Sequence, residues 1–429
     1  MFEPSDQPRV FGLGPGADFP RAFADGLIRR LANHPPDLAA RTTVFVNTRR
    51  MQDAVRNALM ENGARFLPQL HLVTDLANDP LPGIRPAVPK LRRILEVMRL
   101  VEALIARQPG IAPATAAFGL AEDLVALLAE MQDEGVSPDR LEDLTLAEDH
   151  AEHWQRSLQF LRIATGFTGA DAAADGGGRQ QIAVARLIAD WQANIPSAPV
   201  IVAGSTGSRG TTMRLMLAVA ALPQGAVVLP GYDYDLPPRV WSTLSDTDPA
   251  AEDHPQYRFA ALRRAMGPVV MDIPVWSDAF AAPDPSRNRL ISLALRPAPM
   301  TDDWLRDGPE LGDARTATHG LSLIEARGPV EEAQAIALCL RKAAGEGRKA
   351  ALITPDRKLA RRVSAMLDRW GIIPDDSAGE PLSQTPPGRF LRHVAGLFGT
   401  PLTSEALLIV LKHPMTASAA GERGPHLLR

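Results

Sequence analysis

Apolar and polar positions along this chain follow two alternating rhythms. Short runs rich in Val, Ile and Phe, suited to strands buried on both faces, recur at Arg9 to Leu13, in TTVFVNT (42–48), in APVIVAG (198–204) and in GAVVLPG (225–231). Between them Ala22 to Leu31, RRMQDAVRNALMENG (49–63, with Gly63 as its stop), QIAVARLIADWQANI (181–195) and TTMRLMLAVAALP (211–223) space their apolar residues as helices do. Strand, helix, strand in that order predicts a parallel sheet with crossover helices. From Pro86 to Gly166 strand signals stop. Long amphipathic patterns take over, LRRILEVMRLVEALIARQPG (91–110) and FGLAEDLVALLAEMQDEG (118–135), which predict a helical insertion. TGADAAADGGGRQQ (168–181) reads as a linker, and the Pro- and Asp-rich stretch 245–315 as irregular surface connection. A second βαβα pattern begins at LSLIEARG (321–328). It continues with helix VEEAQAIALCLRKAAGEG (330–347), strand KAALITP (349–355), helix DRKLARRVSAMLDRWG (356–371) and the short strand IIPDD (372–376). No internal repeat is visible.

Composition narrows the class. A chain of 429 residues predicts two or three domains. Hydrophobic residues make up 45% and charged residues 22%, as in folded globular proteins. A formal net charge of -4 excludes a general basic coat for nucleic acid, so any such contact belongs to a local groove. The single cysteine, Cys339, cannot build a disulfide framework, a Cys-based zinc site or an iron–sulfur cluster within this chain. Its place in AIALCLRKA predicts a small buried hydrophobe, compatible with a reducing cytoplasm. The amino terminus has no basic segment followed by an apolar one, and no apolar run approaches the roughly 18 residues that span a bilayer. We therefore expect a cytoplasmic protein with no membrane partner.

Candidate chemistry is concentrated at strand-to-helix turns. In GLGPGADFP (12–20), Gly12, Gly14 and Gly16 supply a tight turn, but no Lys follows to reach terminal phosphates. Asp18 would cap the helix and repel a triphosphate. The second turn, VIVAGSTGSRGTTM (200–213), spaces Gly204, Gly207 and Gly210 as a dinucleotide turn does. Asp233 falls near the end of the next strand, where a ribose-binding acid belongs. A strand-to-helix turn of small residues and a nucleotide-dependent oxidoreductase both remain open there. In VFVNTRR, Thr48, Arg49 and Arg50 combine a hydroxyl, a free helix start and two guanidinium groups at the carboxyl end of a strand, a grip suited to a phosphate backbone. With aromatic residues at 5%, base-stacking platforms are scarce. Neither a catalytic triad nor an H-E-x-x-H motif is present, and the acids of DYD (233–235) and DPAAEDHP (248–255) have no evident partner.

Several of these stretches resemble one family. The segment from Ala198 to Asp233, the segment ALITPDRKLARRVSAMLDRWGIIPDD with the residues that follow it, EHWQRSLQFL (152–161), VFVNTRR and LLIVLKHPM (407–415) are similar to alphaproteobacterial-type AddB subunits of the AddAB helicase–nuclease. The likeness is strongest at 199–233 and 350–393. It implies an α/β fold of two RecA-like, P-loop NTPase or superfamily-1 helicase-like parallel-sheet domains with a helical insertion, the second domain truncated. On that reading 1–85 and 180–285 form the first RecA-like domain, with a degenerate nucleotide site, and 86–179 the insertion. Residues 286–317 are a linker, 318–400 open the second RecA-like domain, and 401–429 are a truncated helical segment. The resemblance also implies a DNA-contact role for Thr48, Arg49 and Arg50, and a heterodimer with an AddA-type helicase–nuclease subunit that processes DNA double-strand breaks for recombinational repair. Gly12, Gly14, Gly16 and Asp18 match the phosphate loop without its Lys. The strand expected to end in magnesium-binding acids reads VIVAGST, so we expect no ATP hydrolysis by this chain. No cofactor is expected here. ATP and magnesium are implied for the partner, and an iron–sulfur cluster and a nuclease metal for a carboxyl-terminal domain to which nothing in this sequence corresponds. The alternative function is the oxidoreductase built on Gly204–Gly210.

Overall fold

The computed structural model describes residues 1–5, 7–61, 63–78, 86–136, 174, 176–244, 249–267 and 272–416. They divide into two compact units, Met1–His319 and Gly320–Arg429.

The first unit is built on five strands: β1 (Val10–Leu13), β2 (Thr43–Val46), β3 (Gln69–Leu72), β4 (Val200–Ala203) and β5 (Gly225–Pro230). They form one fully parallel sheet in the order β1-β5-β4-β2-β3. Successive side chains point to opposite faces, and the apolar runs supply both. Val44, Val46, Ile201, Ala203, Ala226 and Val228 face α1 (Phe19–Leu31) and α3 (Arg49–Met60). Phe45, Val200, Val202, Val227 and Leu229 face α6 (Gly176–Ala193), α7 (Gly210–Ala221) and α9 (Tyr257–Ala265). A sheet covered on both sides explains why its central strands carry so few polar residues.

The short helix α2 (Asp37–Arg41) precedes β2. The insertion contains α4 (Lys90–Arg107) and α5 (Ala117–Glu134), which pack through Ile94, Val97 and Val101 against Ala121, Leu124 and Leu128. The EHWQRSLQFL segment lies outside the described residues.

Three expectations for this unit need correction. The linker reading of 168–181 fails at its carboxyl end, because α6 begins at Gly176. Long-range tethers hold the glycine-rich turn helical: Arg179 donates to the Ala77 carbonyl, Gln180 to the Val73 carbonyl at 3.2 Å, and Gln181 to the Gln132 carbonyl. The stretch 245–315 is not irregular throughout. It contains α9, α10 (Pro285–Ala294) and α11 (Asp303–Asp307), while α8 (Pro238–Thr243) lies just before it and α12 (Ala314–Thr318) spans its end. Within it, Pro274–Trp276 runs beside β1, with Gly12 N–H donating to Pro274 O at 3.0 Å and Trp276 N–H to Gly12 O at 2.9 Å. Residues 286–317 are tied into the first unit, with Asn288 donating to Pro15 O at 2.8 Å and Arg239 to Asp303 at 2.9 Å.

The second unit contains α13 (Pro329–Gly345), α14 (Arg357–Asp368), α15 (Pro386–Gly399) and α16 (Ser404–Lys412). Helices α13 and α14 share a small core of Ala333, Ala337, Leu359, Val363 and Leu367. The strands expected at 321–328, 349–355 and 372–376 do not form a ladder. A strand exists only by pairing, and among the described residues these segments have no strand neighbour. Leu352 and Ile372 lean on the α13–α14 core, while Leu323, Ile353 and Ile373 stay in solvent at 86%, 94% and 91% exposed. Cys339 is also exposed, against the expectation of burial. The stripe of α13 that packs inward is Ala333 and Ala337, and a residue two positions further on points to the opposite side. No helix among the described residues is long and apolar enough to cross a membrane.

Candidate nucleic-acid interface at the carboxyl edge of the sheet

Because all five strands run the same way, the turns that follow them gather on one edge. Connections leave that edge on both faces. Helices α1 and α3 leave β1 and β2 on one face, while α7 and the chain toward α9 leave β4 and β5 on the other. Adjacent strands with opposite exits, β2 beside β4 and β1 beside β5, therefore flank two crevices, the usual position of ligands in open α/β sheets.

The first crevice carries the VFVNTRR turn. Thr48, extended at φ -140°, caps α3, its Oγ1 accepting from Met51 N–H at 3.1 Å. Thr48, Arg49 and Arg50 are all exposed. Arg49, 78% exposed, lies 3.9 Å from the Asp75 carboxylate, a loose pair that screening weakens further. Across the crevice, the exposed Arg209 precedes α7 and adds a third guanidinium to this edge. Sequence reasoning passed over Arg209 because it sat inside a turn read only for its glycines.

The turn after β4 is closed by the protein itself. Thr211, 2% exposed, donates its hydroxyl to the Asp133 carboxylate at 2.7 Å, and its N–H lies 3.4 Å from the same oxygen. At Gly210 a Cβ would fall 2.3 Å from the Asp133 carbonyl. The α7 start, where a dinucleotide phosphate would bind, is thus covered by the end of α5. Asp233 does not face that turn. It is buried, takes the Asp235 N–H at 2.9 Å, and belongs to a polar cluster with His254, Arg296 and Asp303.

In the 12–18 turn, Gly12 is required because a Cβ would lie 2.6 Å from the Tyr234 hydroxyl, and Gly16 has φ +77°. Gly14 has only ordinary contact distance to spare and no such constraint. Asp18 caps α1, accepting from Arg21 N–H at 3.4 Å, and Arg21 in turn pairs with Glu61 at 2.9 Å.

The cluster around Asp303 was invisible in sequence, since its members come from four separate stretches. Arg239, Arg296 and Arg306 converge on that carboxylate. Burial lowers the His254 pKa, with Asp233 opposing, and burial raises that of Asp235. Nε of Arg239, Nε of Arg296 and Nε2 of His254 are buried without a hydrogen-bond partner among the described residues. No group of three or more His, Cys, Asp or Glu side chains among the described residues is arranged to hold a metal ion.

A scan against protein-family models gives no match for this chain, and a search of curated proteins also gives none.

Proposed function

We propose that this chain is a helicase-like, ATPase-inactive subunit that binds and scaffolds DNA in a helicase–nuclease of the AddAB type, acting on double-strand breaks for recombinational repair. Two RecA-like domains and a heterodimer with an AddA-type subunit belong to the same proposal. One observation carries it. Among the described residues three longer helices leave the carboxyl edge of the sheet, and each N-terminus attracts anions. Two of them, α1 and α7, are filled by the protein's own carboxylates, Asp18 and Asp133. The third, α3, is capped by the neutral Thr48 and carries the exposed Arg49 and Arg50. The edge therefore disfavours a triphosphate at the two glycine turns and favours a phosphodiester backbone at α3. Such contacts are sequence-tolerant and salt-sensitive.

The test is titration of the full chain with single-stranded DNA at several salt concentrations, alone and with an AddA-type partner. Binding should weaken with salt. Arg49→Ala or Arg50→Ala should reduce the slope of log affinity against log salt by about 0.7 each. ATP turnover by the purified chain, or saturable dinucleotide binding without DNA binding, would overturn the proposal.

A further inference from the structure

The turn that ends β1 carries an aromatic ring on each side, Tyr234 at the second crevice, between β1 and β5, and Phe280 from the chain that follows Pro274–Trp276 on the outer edge of β1. Tyr234, 42% exposed, stands at the turn after β5 with its hydroxyl beside Gly12. Phe280, 49% exposed, lies on the other side of the 12–18 turn, where its carbonyl accepts from Asp18 N–H at 3.0 Å. Both rings are held from behind. Tyr234 meets Tyr232 edge-on at 4.9 Å, Tyr232 stacks on Trp241 at 5.0 Å, and the Arg263 guanidinium lies 4.7 Å above Trp241. The ladder is rooted in the core, since Tyr232 is 5% exposed. Phe280 has the Arg21 guanidinium 5.9 Å from its ring centre. It is also the one residue other than glycine with positive φ, at +57°, among the described residues. A bulky side chain held in that conformation is strained, and such strain gathers at ligand sites.

We propose that Tyr234 and Phe280 are a stacking platform for unpaired bases of a single-stranded nucleic acid whose phosphates lie on Arg49 and Arg50. The inference rests on the DNA-binding reading above and adds to it a base-contacting subsite. Half-exposed aromatic rings fixed by their own packing suit bases, which all present a π-face, and they give affinity without sequence preference. Bases within a duplex are already stacked, so the ligand is a single strand. With neighbouring strands about 4.8 Å apart, the two crevices are roughly 10 Å from each other, a gap that successive nucleotides of one strand bridge. Asp18 at the start of α1 disfavours the alternative source of a base, a free nucleoside triphosphate.

The experiment compares binding of the full chain to a fluorescent oligothymidylate and to an abasic oligonucleotide of the same length. Variants are Tyr234→Ala, Tyr234→Phe and Phe280→Asn, the last chosen because Asn tolerates positive φ. We expect the base-containing strand to bind roughly 5- to 100-fold tighter than the abasic one. Tyr234→Ala and Phe280→Asn should erode that preference without changing the salt slope, and Tyr234→Phe should retain it. Equal binding of the two strands by the unmodified chain, or displacement of the strand by millimolar ATP, overturns the stacking site while leaving the phosphate contacts standing. Binding of neither strand overturns both readings.

Discussion

Replacing Asp133 with Ala tests how the first unit closes its second glycine turn. Helix α7 has no side-chain cap of its own, since the residue before it is Arg209, which makes no capping hydrogen bond. The carboxylate of Asp133, from the end of α5, takes over that role across a separation of 78 residues. Its loss would strip the Thr211 hydroxyl of its acceptor and remove a negative charge from a helix N-terminus. An unsatisfied buried hydroxyl costs about 1–3 kcal/mol, and a lost cap about 1 kcal/mol. Asp133 is only partly buried, so water can enter and recover part of this, which leaves about 2 kcal/mol as the expected loss. The assay is urea denaturation followed by far-UV circular dichroism, with midpoints compared at matched slopes. Asp133→Asn keeps an acceptor and should cost less than Asp133→Ala. Thr211→Val combined with Asp133→Ala should be milder than the sum of the single changes by about 1 kcal/mol, since each single change already breaks the contact. A loss under about 0.5 kcal/mol for Asp133→Ala, or strict additivity in the pair, refutes a cap supplied from α5.

Two further perturbations follow from the polar cluster. Asp303→Ala leaves the buried Arg296 without its nearest carboxylate and should destabilise the first unit by about 3–5 kcal/mol, read as a lower urea midpoint. His254 has its pKa lowered from 6.5 by burial, so the unfolded chain binds more protons than the folded one as pH drops below 6.5. Stability should therefore fall from pH 7.5 to 5.5, and His254→Gln should flatten that decline; an unchanged slope counts against a buried neutral imidazole.

Much of the sheet was legible because burial on both faces leaves a nearly continuous apolar run. TVFV, VIVA and AVVL say strand whichever side they face. What such runs do not encode is a neighbour. The apolar segments at 321–328 and 349–355 also carry strand-like runs, yet among the described residues they have no adjacent strand and form no ladder. Local propensity misled in the opposite direction at Gly176–Gln181, where three long-range side-chain bonds outweigh the glycines. At the candidate site, the capping role of Asp18 could be read from its own neighbours, because a cap acts within three residues. The Thr48 hydroxyl, expected in a phosphate grip at a free helix start, instead caps α3 itself. Asp133, Tyr234 and Phe280 could not be read in this way, since each gains its place through contacts between distant parts of the chain.

Carboxylates along the carboxyl edge limit how this sheet could take up a nucleotide. A Lys introduced into the 12–18 turn would not suffice, because Asp18 holds the α1 start and is itself beside the Arg21–Glu61 pair. An incoming phosphate would have to compete with a carboxylate that is covalently attached and therefore always present at high effective concentration. The same argument holds at α7, where the competitor is Asp133 and the carbonyl beside it also occupies the space above Gly210. Among the described residues the α3 start is capped by the Thr48 hydroxyl and not by a carboxylate. Asp75 reaches Arg49 only at 3.9 Å and in solvent, so an arriving phosphodiester displaces a weak pair rather than a cap. On the proposed DNA-binding reading, what already fills each helix start separates the two kinds of phosphate ligand, and no single glycine decides it.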